Sequence, residues 1–145
     1  MNLYLDCEFN EFRGALISMA LVADDGREWY EVVPCKKPGA WVAQNVMPVL
    51  GKTPLPNPKK LSVSLAKFLR KFDRVHIVAD WPEDIAHFCD ALIVGQGEMI
   101  GTPQLTMEVR FDIDTSESAI PHNALADARA LAQAVRPKPK SAHLP

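Results

Sequence analysis

Three short clusters of acidic residues lie far apart in the chain, and the third also contains a histidine: Asp6 and Glu8; Asp80, Glu83 and Asp84; His122 and Asp127. Each cluster alone has an ordinary explanation, because strands, helix starts and loops often carry such residues. Together they supply oxygen ligands for hard divalent cations and a side chain that can accept a proton near neutral pH. Metal-assisted hydrolysis of phosphodiester bonds requires that combination. The clusters can act together only if the fold brings them to one place.

The first cluster lies on a predicted β-strand. Residues 2–9 alternate strictly, with Leu3, Leu5 and Cys7 on one face. Asp6 and Glu8 therefore project together from the other face. Because two neighbouring carboxylates repel each other unless a cation lies between them, this pair is a candidate metal site.

The second cluster follows a predicted strand at 74–79, and Pro82 opens a predicted helix at 83–94. The carboxyl end of a strand that leads into a helix is a common ligand position in α/β proteins. Asp80 is a candidate N-cap of this helix, where it would accept backbone N–H groups and be less available to a metal. Asp84 is therefore the favoured ligand, and Asp80 is the alternative.

The third cluster surrounds the start of the last predicted helix. Apolar residues between positions 124 and 135 form one stripe, and Asn123 is a good N-cap. Asp127 lies at the rim of that stripe, and His122 lies in the preceding loop. The three clusters could meet only if the first strand lies beside the strand at 74–79, with the last helix packed across them.

The remaining pattern predicts a mixed α/β fold. Further strands are predicted at 15–23, 27–33 and 105–111, further helices at 41–50 and 61–72, a hairpin turn at Asp24-Asp25-Gly26, and a proline-rich loop at 51–60. The element order is therefore βββααβαβα. An antiparallel meander of three strands, followed by helices that alternate with strands, predicts a mixed five-stranded sheet with helices on both faces.

Composition limits the classes of protein to which this chain could belong. Its 145 residues suit one domain, and no apolar run approaches the roughly 18 residues that a membrane span needs. The N-terminus lacks the basic and apolar regions of a signal peptide, so we expect a cytoplasmic protein with no membrane partner. Three cysteines without metal-site spacing favour reduced thiols.

The net charge of −2 argues against a protein that binds nucleic acid by bulk electrostatics. The charge distribution is uneven, because Arg136, Lys138 and Lys140 follow Val135 with no acidic residue among them. Without these three residues the body of the chain carries 13 basic against 18 acidic residues. An acidic protein that handles polyanions must place its carboxylates where cations neutralise them, which again indicates a metal site.

The three clusters resemble the three motifs of the DEDDh 3′→5′ exonucleases, which are relatives of polymerase proofreading subunits, ribonuclease T and oligoribonuclease. The motifs Asp-x-Glu, Asp followed by an apolar residue, and His-x-x-x-x-Asp-Ala are matched by Asp6-Cys7-Glu8, Asp84-Ile85 and His122 to Asp127-Ala128. The resemblance spans about residues 3 to 135. It implies a ribonuclease H-like three-layer fold, one exonuclease domain over residues 1–136, and a basic, disordered tail at 137–145. The chain looks closest to the small stand-alone exoribonucleases of bacteria and phages.

The resemblance also implies a mechanism with two Mg²⁺ or Mn²⁺ ions. One ion would be held by Asp6, Glu8 and Asp127 and would activate a water, and the second, bound mainly by Asp6, would stabilise the leaving 3′ oxygen. Asp84 would bind directly or through waters, and His122 would accept the proton of the water. The substrate would be nucleic acid with a free 3′ end, RNA in preference to DNA, and the product a nucleoside 5′-monophosphate. The oligomeric state is open, and a homodimer is allowed.

Four further residues are candidate substrate contacts: Phe9, Asn10, Trp81 and Asn123. Phe9 stands where many relatives have threonine, and it could pack against the terminal sugar or base or belong to the core. Asp80 stands where the family often has asparagine, and Asn123 stands where a sister branch has tyrosine. Two alternatives stay open: a ribonuclease H-like endonuclease, and a non-catalytic module that binds nucleic acid or protein.

Overall fold

The computed structural model describes residues 1–136; the tail predicted at 137–145 lies outside the described residues. The elements are β1 (Asn2–Phe9), β2 (Leu16–Ala23), β3 (Glu28–Val32), α1 (Ala40–Asn45), a 3₁₀ turn (Met47–Val49), α2 (Lys59–Leu69), β4 (Arg74–Ala79), α3 (Pro82–Leu92), β5 (Ile93–Gly95), β6 (Glu98–Met99), β7 (Gln104–Val109) and α4 (Ala124–Val135). Within residues 1–136, no helix is long and apolar enough to cross a membrane.

Five strands form one mixed sheet in the order β3-β2-β1-β4-β7. The strands β1, β2 and β3 pair antiparallel, whereas β4 runs parallel to both β1 and β7. The predicted α/β class and the mixed five-stranded sheet are therefore confirmed. Strand β1 lies at the centre of the sheet, where both of its edges are hydrogen-bonded and Leu3 and Leu5 are completely buried.

Helices cover both faces of this sheet, as the alternation of β1 requires. On one face, Leu3 and Leu5 pack with apolar side chains of α2 and α3, such as Leu65 and Phe88. On the other face, Tyr4 packs with β2 and with the small, apolar stripe of α4. Tyr4 lies on the same face of β1 as Asp6 and Glu8 and is buried under α4. Helix α4 therefore brings its own side chains towards these two carboxylates.

The prediction is wrong in detail around α1 and after α3, where the helix predicted at 83–94 ends at Leu92. The helix predicted at 41–50 ends at Asn45 and continues as a 3₁₀ turn, because Pro48 has no N–H to donate to the preceding turn. The predicted order βββααβαβα omits β5 and β6, which form a separate two-stranded hairpin turned at Gly97 with φ of 69°. These strands of three and two residues are too short to give a period-2 pattern. The fifth strand of the main sheet is therefore the seventh strand of the chain.

Candidate active site

The parallel pairing of β1 with β4 joins the first two acidic clusters. Tyr4 lies opposite Val78, and the same register continued for two residues brings Asp6 level with Asp80. A β-bulge between Glu8 and Phe9 then ends the regular pairing of β1 with β2. Bulges of this kind often redirect side chains beside functional sites.

Asp84 reaches the same place from the first turn of α3. The Cys7 thiol is 3.8 Å from the main-chain oxygen of Asp84, in a weak hydrogen bond that ties the start of α3 to β1. The Asp84 side chain is only 3% exposed. A carboxylate on the first turn of a helix is stabilised by the helix dipole, but this burial also requires a partner for its charge.

Helix α4 supplies the third cluster, and Asn123 fixes its start. The Asn123 side chain accepts a hydrogen bond from the Ala126 N–H at 2.9 Å, as predicted for an N-cap, and donates to the Val49 carbonyl at 2.8 Å. Asn123 is also buried. These bonds commit its side chain to the fold, so we leave Asn123 out of the proposed substrate contacts.

Five carboxylates converge in two overlapping groups of three. One oxygen each from Asp6, Glu8 and Asp127 lie within 4.8 Å of one another, and the same holds for Asp6, Asp80 and Asp84. Asp6 belongs to both groups. Its Oδ2 is buried and has no hydrogen-bond partner, and within residues 1–136 none of the five carboxylates forms a salt bridge. A buried oxygen without a partner is costly, and this donor set of oxygens fits hard divalent cations at both groups.

The clustering raises the pKa of the carboxyl groups. Burial first, and then repulsion from Asp84 and Glu8, raise the pKa of Asp6 well above its ordinary value. Burial, repulsion from Asp127 and a hydrogen bond to it raise the pKa of Glu8 to about 8. Burial and the charge of Asp80 raise the pKa of Asp84 to about 8, although a hydrogen bond from the Cys7 backbone opposes this. Without a cation, this site therefore holds protons at neutral pH.

The stability of the metal-free protein should fall as pH rises. A carboxyl whose folded pKa is raised stabilises the fold fully below its unfolded pKa, 4.5 for Glu8, and this stability is lost as pH rises to about 8. We expect the Tm in chelator to fall between about pH 5 and pH 8, and the fall to be several degrees smaller in Glu8→Gln. Glu98→Gln, on the exposed strand β6, is the control. Equal pH dependence in wild type and Glu8→Gln would contradict the raised pKa.

Asp80 does not cap α3, and the prediction that it does is wrong. The N-cap residue is Trp81, and no side chain caps this helix end. The Asp80 carboxylate instead accepts a hydrogen bond from the Thr115 hydroxyl at 3.2 Å and faces Asp6 and Asp84. Because Asp80 directly follows the last residue of β4, it continues the direction of that strand, and its side chain does not bind the N–H groups at the start of α3.

His122 lies beside the first carboxylate group in a backbone conformation that is unusual for histidine. Its φ is 68°, and its N–H donates to Asp127 Oδ2 at 3.2 Å. Its ring packs edge-on against Trp41, with ring centroids 4.8 Å apart. His122, Asp6 and Asp127 line one cavity of about 230 Å³, which we call the histidine cavity. A left-handed non-glycine residue beside a cluster of this kind is typical of functional sites.

A second cavity, of about 300 Å³, adjoins the carboxylates and has aromatic walls: Phe9, Phe12, Trp41 and Trp81. We call it the aromatic cavity; Asp6 and Asp80 line both it and the histidine cavity. The side chains of Trp41 and Trp81 are 52% and 53% exposed, which is unusual for tryptophan. The sequence predictions included Phe9 and Trp81 but missed Phe12 and Trp41. One feature of the sequence indicates an exposed role for Trp41: it lies at the start of a predicted helix but outside the apolar stripe that contains Val42 and Val46.

Asn10 holds the turn after β1 rather than facing the carboxylates. Its side-chain amide donates to the Lys37 carbonyl at 2.9 Å and accepts from the Gly39 N–H at 2.8 Å. These two bonds join the turn after β1 to the segment that precedes α1. Because Phe12 lies in that turn and Trp41 lies in α1, Asn10 fixes two walls of the aromatic cavity relative to each other.

Comparison with protein-family models and with curated protein sequences finds no match to this chain. Function must therefore be inferred from the site. The three acidic clusters, which lie far apart in sequence, meet at the carboxyl end of β1 and β4, with His122 beside them. Each of the five residues predicted to be catalytic lines one of the two cavities there.

Proposed function

We propose that this protein is a divalent-metal-dependent 3′→5′ exonuclease that removes nucleoside 5′-monophosphates from the end of a nucleic acid, preferably RNA. The observation that carries the proposal is the position of Asp6, whose carboxylate belongs to two groups of three acidic side chains. A shared carboxylate between two cation sites is the arrangement that two-metal phosphodiester hydrolysis requires. The resemblance of the motifs to the DEDDh exonucleases supports the same reaction.

The residues divide between two cation sites. Asp6, Glu8 and Asp127 would hold one Mg²⁺ or Mn²⁺, and Asp6 and Asp84 would hold the other, with Asp80 beside them as a weaker ligand. Cations bound there would neutralise the charge of the phosphate and the charge that develops on the attacking and leaving oxygens. With cations present, the repulsion that raises the carboxyl pKa values is relieved, so the groups bind as carboxylates at neutral pH.

His122 is the proposed proton acceptor. In the reaction, a water oxygen forms a bond to phosphorus, the bond from phosphorus to the 3′ oxygen breaks, and the leaving oxygen takes up a proton from solvent. His122 accepts the proton that the attacking water loses. The hydrogen bond from its backbone N–H to Asp127 and the contact of its ring with Trp41 hold the imidazole beside the carboxylates before substrate arrives.

The aromatic cavity is the proposed position of the terminal nucleotide. Phe9, Trp41 and Trp81 present ring faces or edges beside Asp6, and aromatic rings bind nucleobases of any sequence by stacking. A mixed five-stranded sheet with helices on both faces and the first acidic motif on its central strand is compatible with the ribonuclease H-like assignment that the motifs imply. The spacing of His122 and Asp127 favours the exonuclease over an endonuclease. We also propose that the protein acts in the cytoplasm.

Linear and circular substrates test the proposed reaction. The purified protein is incubated with 5′-labelled linear RNA and with a closed circle of the same sequence, in Mg²⁺, in Mn²⁺ and in chelator. We expect a ladder that shortens one nucleotide at a time from the 3′ end, no reaction in chelator, and an intact circle. Efficient cutting of the circle would exclude an exonuclease, and no hydrolysis of either substrate would favour a non-catalytic binding module.

Asp84 and Asp80 should contribute unequally to activity. Asp84 is almost fully buried and its pKa is raised to about 8, so a cation is its natural partner, whereas Asp80 already accepts a hydroxyl hydrogen bond from Thr115. We expect Asp84→Asn to retain the fold and lose nearly all turnover, and Asp80→Asn to retain the fold and most turnover. Initial rates and Tm values of both variants provide the test. The reverse pattern would make Asp80 the main ligand.

A further inference from the structure

A larger cavity, of about 780 Å³, lies outside the carboxylate site. Its walls come from the turn after β1, the start of α2, the end of α3 and strand β5. The charged and titratable side chains that line it are Arg13, Lys59, Asp90 and His87, so that two permanent positive charges stand against one negative charge. The rest of its lining is mostly apolar.

Two ring contacts join this cavity to the aromatic cavity. The ring of Phe9, which lines the aromatic cavity, is 5.1 Å from the ring of His87, which lines the larger one. The guanidinium of Arg13, in the larger cavity, is 5.3 Å from the ring centre of Phe12, in the aromatic cavity. The two cavities are therefore adjacent, and these side chains lie between them.

The lining of the larger cavity complements a nucleic acid strand. Val63, Ile93 and Val94 are each more than half exposed, and together they form an apolar surface that bases could cover. A strand whose 3′ end lies among the carboxylates needs positive charge for its next phosphates, because the acidic site offers none. Arg13 and Lys59 provide it on the far side of the Phe9 and Phe12 rings.

We propose that this cavity, here named the upstream cavity, binds the nucleotides that lie on the 5′ side of the terminal nucleotide in a single-stranded substrate. The bases contact Val63, Ile93 and Val94, and the phosphates contact Arg13 and Lys59. This inference rests on the proposed function and adds a strand preference to it. A duplex keeps its bases paired and stacked and cannot present them to this apolar surface, so single strands bind more tightly.

Binding of short oligonucleotides tests the upstream cavity separately from hydrolysis. The dissociation constants of 5′-fluorescein-labelled oligouridylates of two and six nucleotides are measured by anisotropy in Ca²⁺, with each sample checked by electrophoresis for cleavage. The variants are Arg13→Asn and Lys59→Gln. Asparagine suits position 13, because the φ of Arg13 is 53° and asparagine tolerates left-handed backbone. The matched control is Lys67→Gln, an exposed lysine on the same helix about 12 Å further along its axis.

In wild type, six nucleotides should bind at least about tenfold more tightly than two. Each cavity variant should weaken binding of the longer oligonucleotide about fivefold and lower its salt slope by about 0.7, while binding of two nucleotides changes less than about twofold. Lys67→Gln should change neither. Equal binding of both lengths by wild type, or equal losses on both lengths in the variants, would overturn the inference. If wild type still hydrolyses RNA from its 3′ end, the proposed function survives that failure; if it neither binds nor hydrolyses, both fail.

Discussion

Asp6→Asn is expected to lower the rate of hydrolysis by at least about 10³-fold while the fold is retained. Asp6 is the one carboxylate that belongs to both groups, so its loss weakens both proposed cation sites at once. The same substitution removes a buried carboxyl group whose ionised form repels Asp84 and Glu8. The metal-free variant should therefore be as stable as wild type or more stable at pH 8, by up to about 2 kcal/mol.

This combination of lost activity and retained stability separates a functional carboxylate from a structural one. Initial rates on linear RNA and thermal unfolding in chelator at pH 8 are the two measurements. Asp73→Asn, at an exposed position in the turn before β4, is the control and should change neither quantity. If Asp6→Asn unfolds at a clearly lower temperature than wild type, Asp6 supports the fold rather than the reaction.

His122→Ala is expected to reduce turnover by about 10²–10⁴-fold, the usual effect of removing a general base. Binding of Mn²⁺ should be unchanged, because His122 does not belong to either carboxylate group and approaches Asp127 through its backbone N–H. The affinity for RNA should change less than turnover does, because His122 does not line the aromatic cavity and contacts one of its four aromatic walls, Trp41. Metal titration and single-turnover rates measure the two effects separately.

The unusual backbone of His122 requires a second variant. Alanine is strained at a φ of 68°, and relief of this strain would move the backbone N–H that donates a hydrogen bond to Asp127. His122→Asn tolerates this backbone but offers no comparable base, so both variants should lose activity to a similar extent. If either variant keeps more than about half of the wild-type rate, His122 is not the base.

The parts of the fold that follow from periodicity could be predicted from the sequence. The strict alternation of residues 2–9 places Asp6 and Glu8 on the same face of β1, and the stripe of α4 places Asp127 at its rim. The requirement that β1 lie beside β4 is confirmed, because the pairing of Tyr4 with Val78 is what brings the first two clusters together. These predictions worked because a one-residue slip of β1 would move Leu3, Leu5 and Cys7 off the face that packs against α2 and α3.

The parts that depend on local geometry could not be predicted. Asp80 has the right residue type and position for an N-cap, but the direction in which the chain leaves β4 decides that it faces Asp6. Trp41 was read only as the start of a helix, because its contact with His122 joins segments that are far apart in sequence. The upstream cavity likewise combines three segments that are separate in the sequence, and no local pattern around Arg13 or Lys59 indicates it.

Counting bound ions is the most direct test of the claim that Asp6 is shared by two cation sites. Mn²⁺ is titrated by calorimetry into wild type, Glu8→Gln, Asp84→Asn and Asp6→Asn at neutral pH. Wild type should bind two ions, Glu8→Gln and Asp84→Asn should each weaken a different one, and Asp6→Asn should weaken both. Binding of one ion or none by wild type, or an Asp6→Asn variant that still binds two ions with wild-type affinity, would contradict the shared site and with it the proposed two-metal reaction.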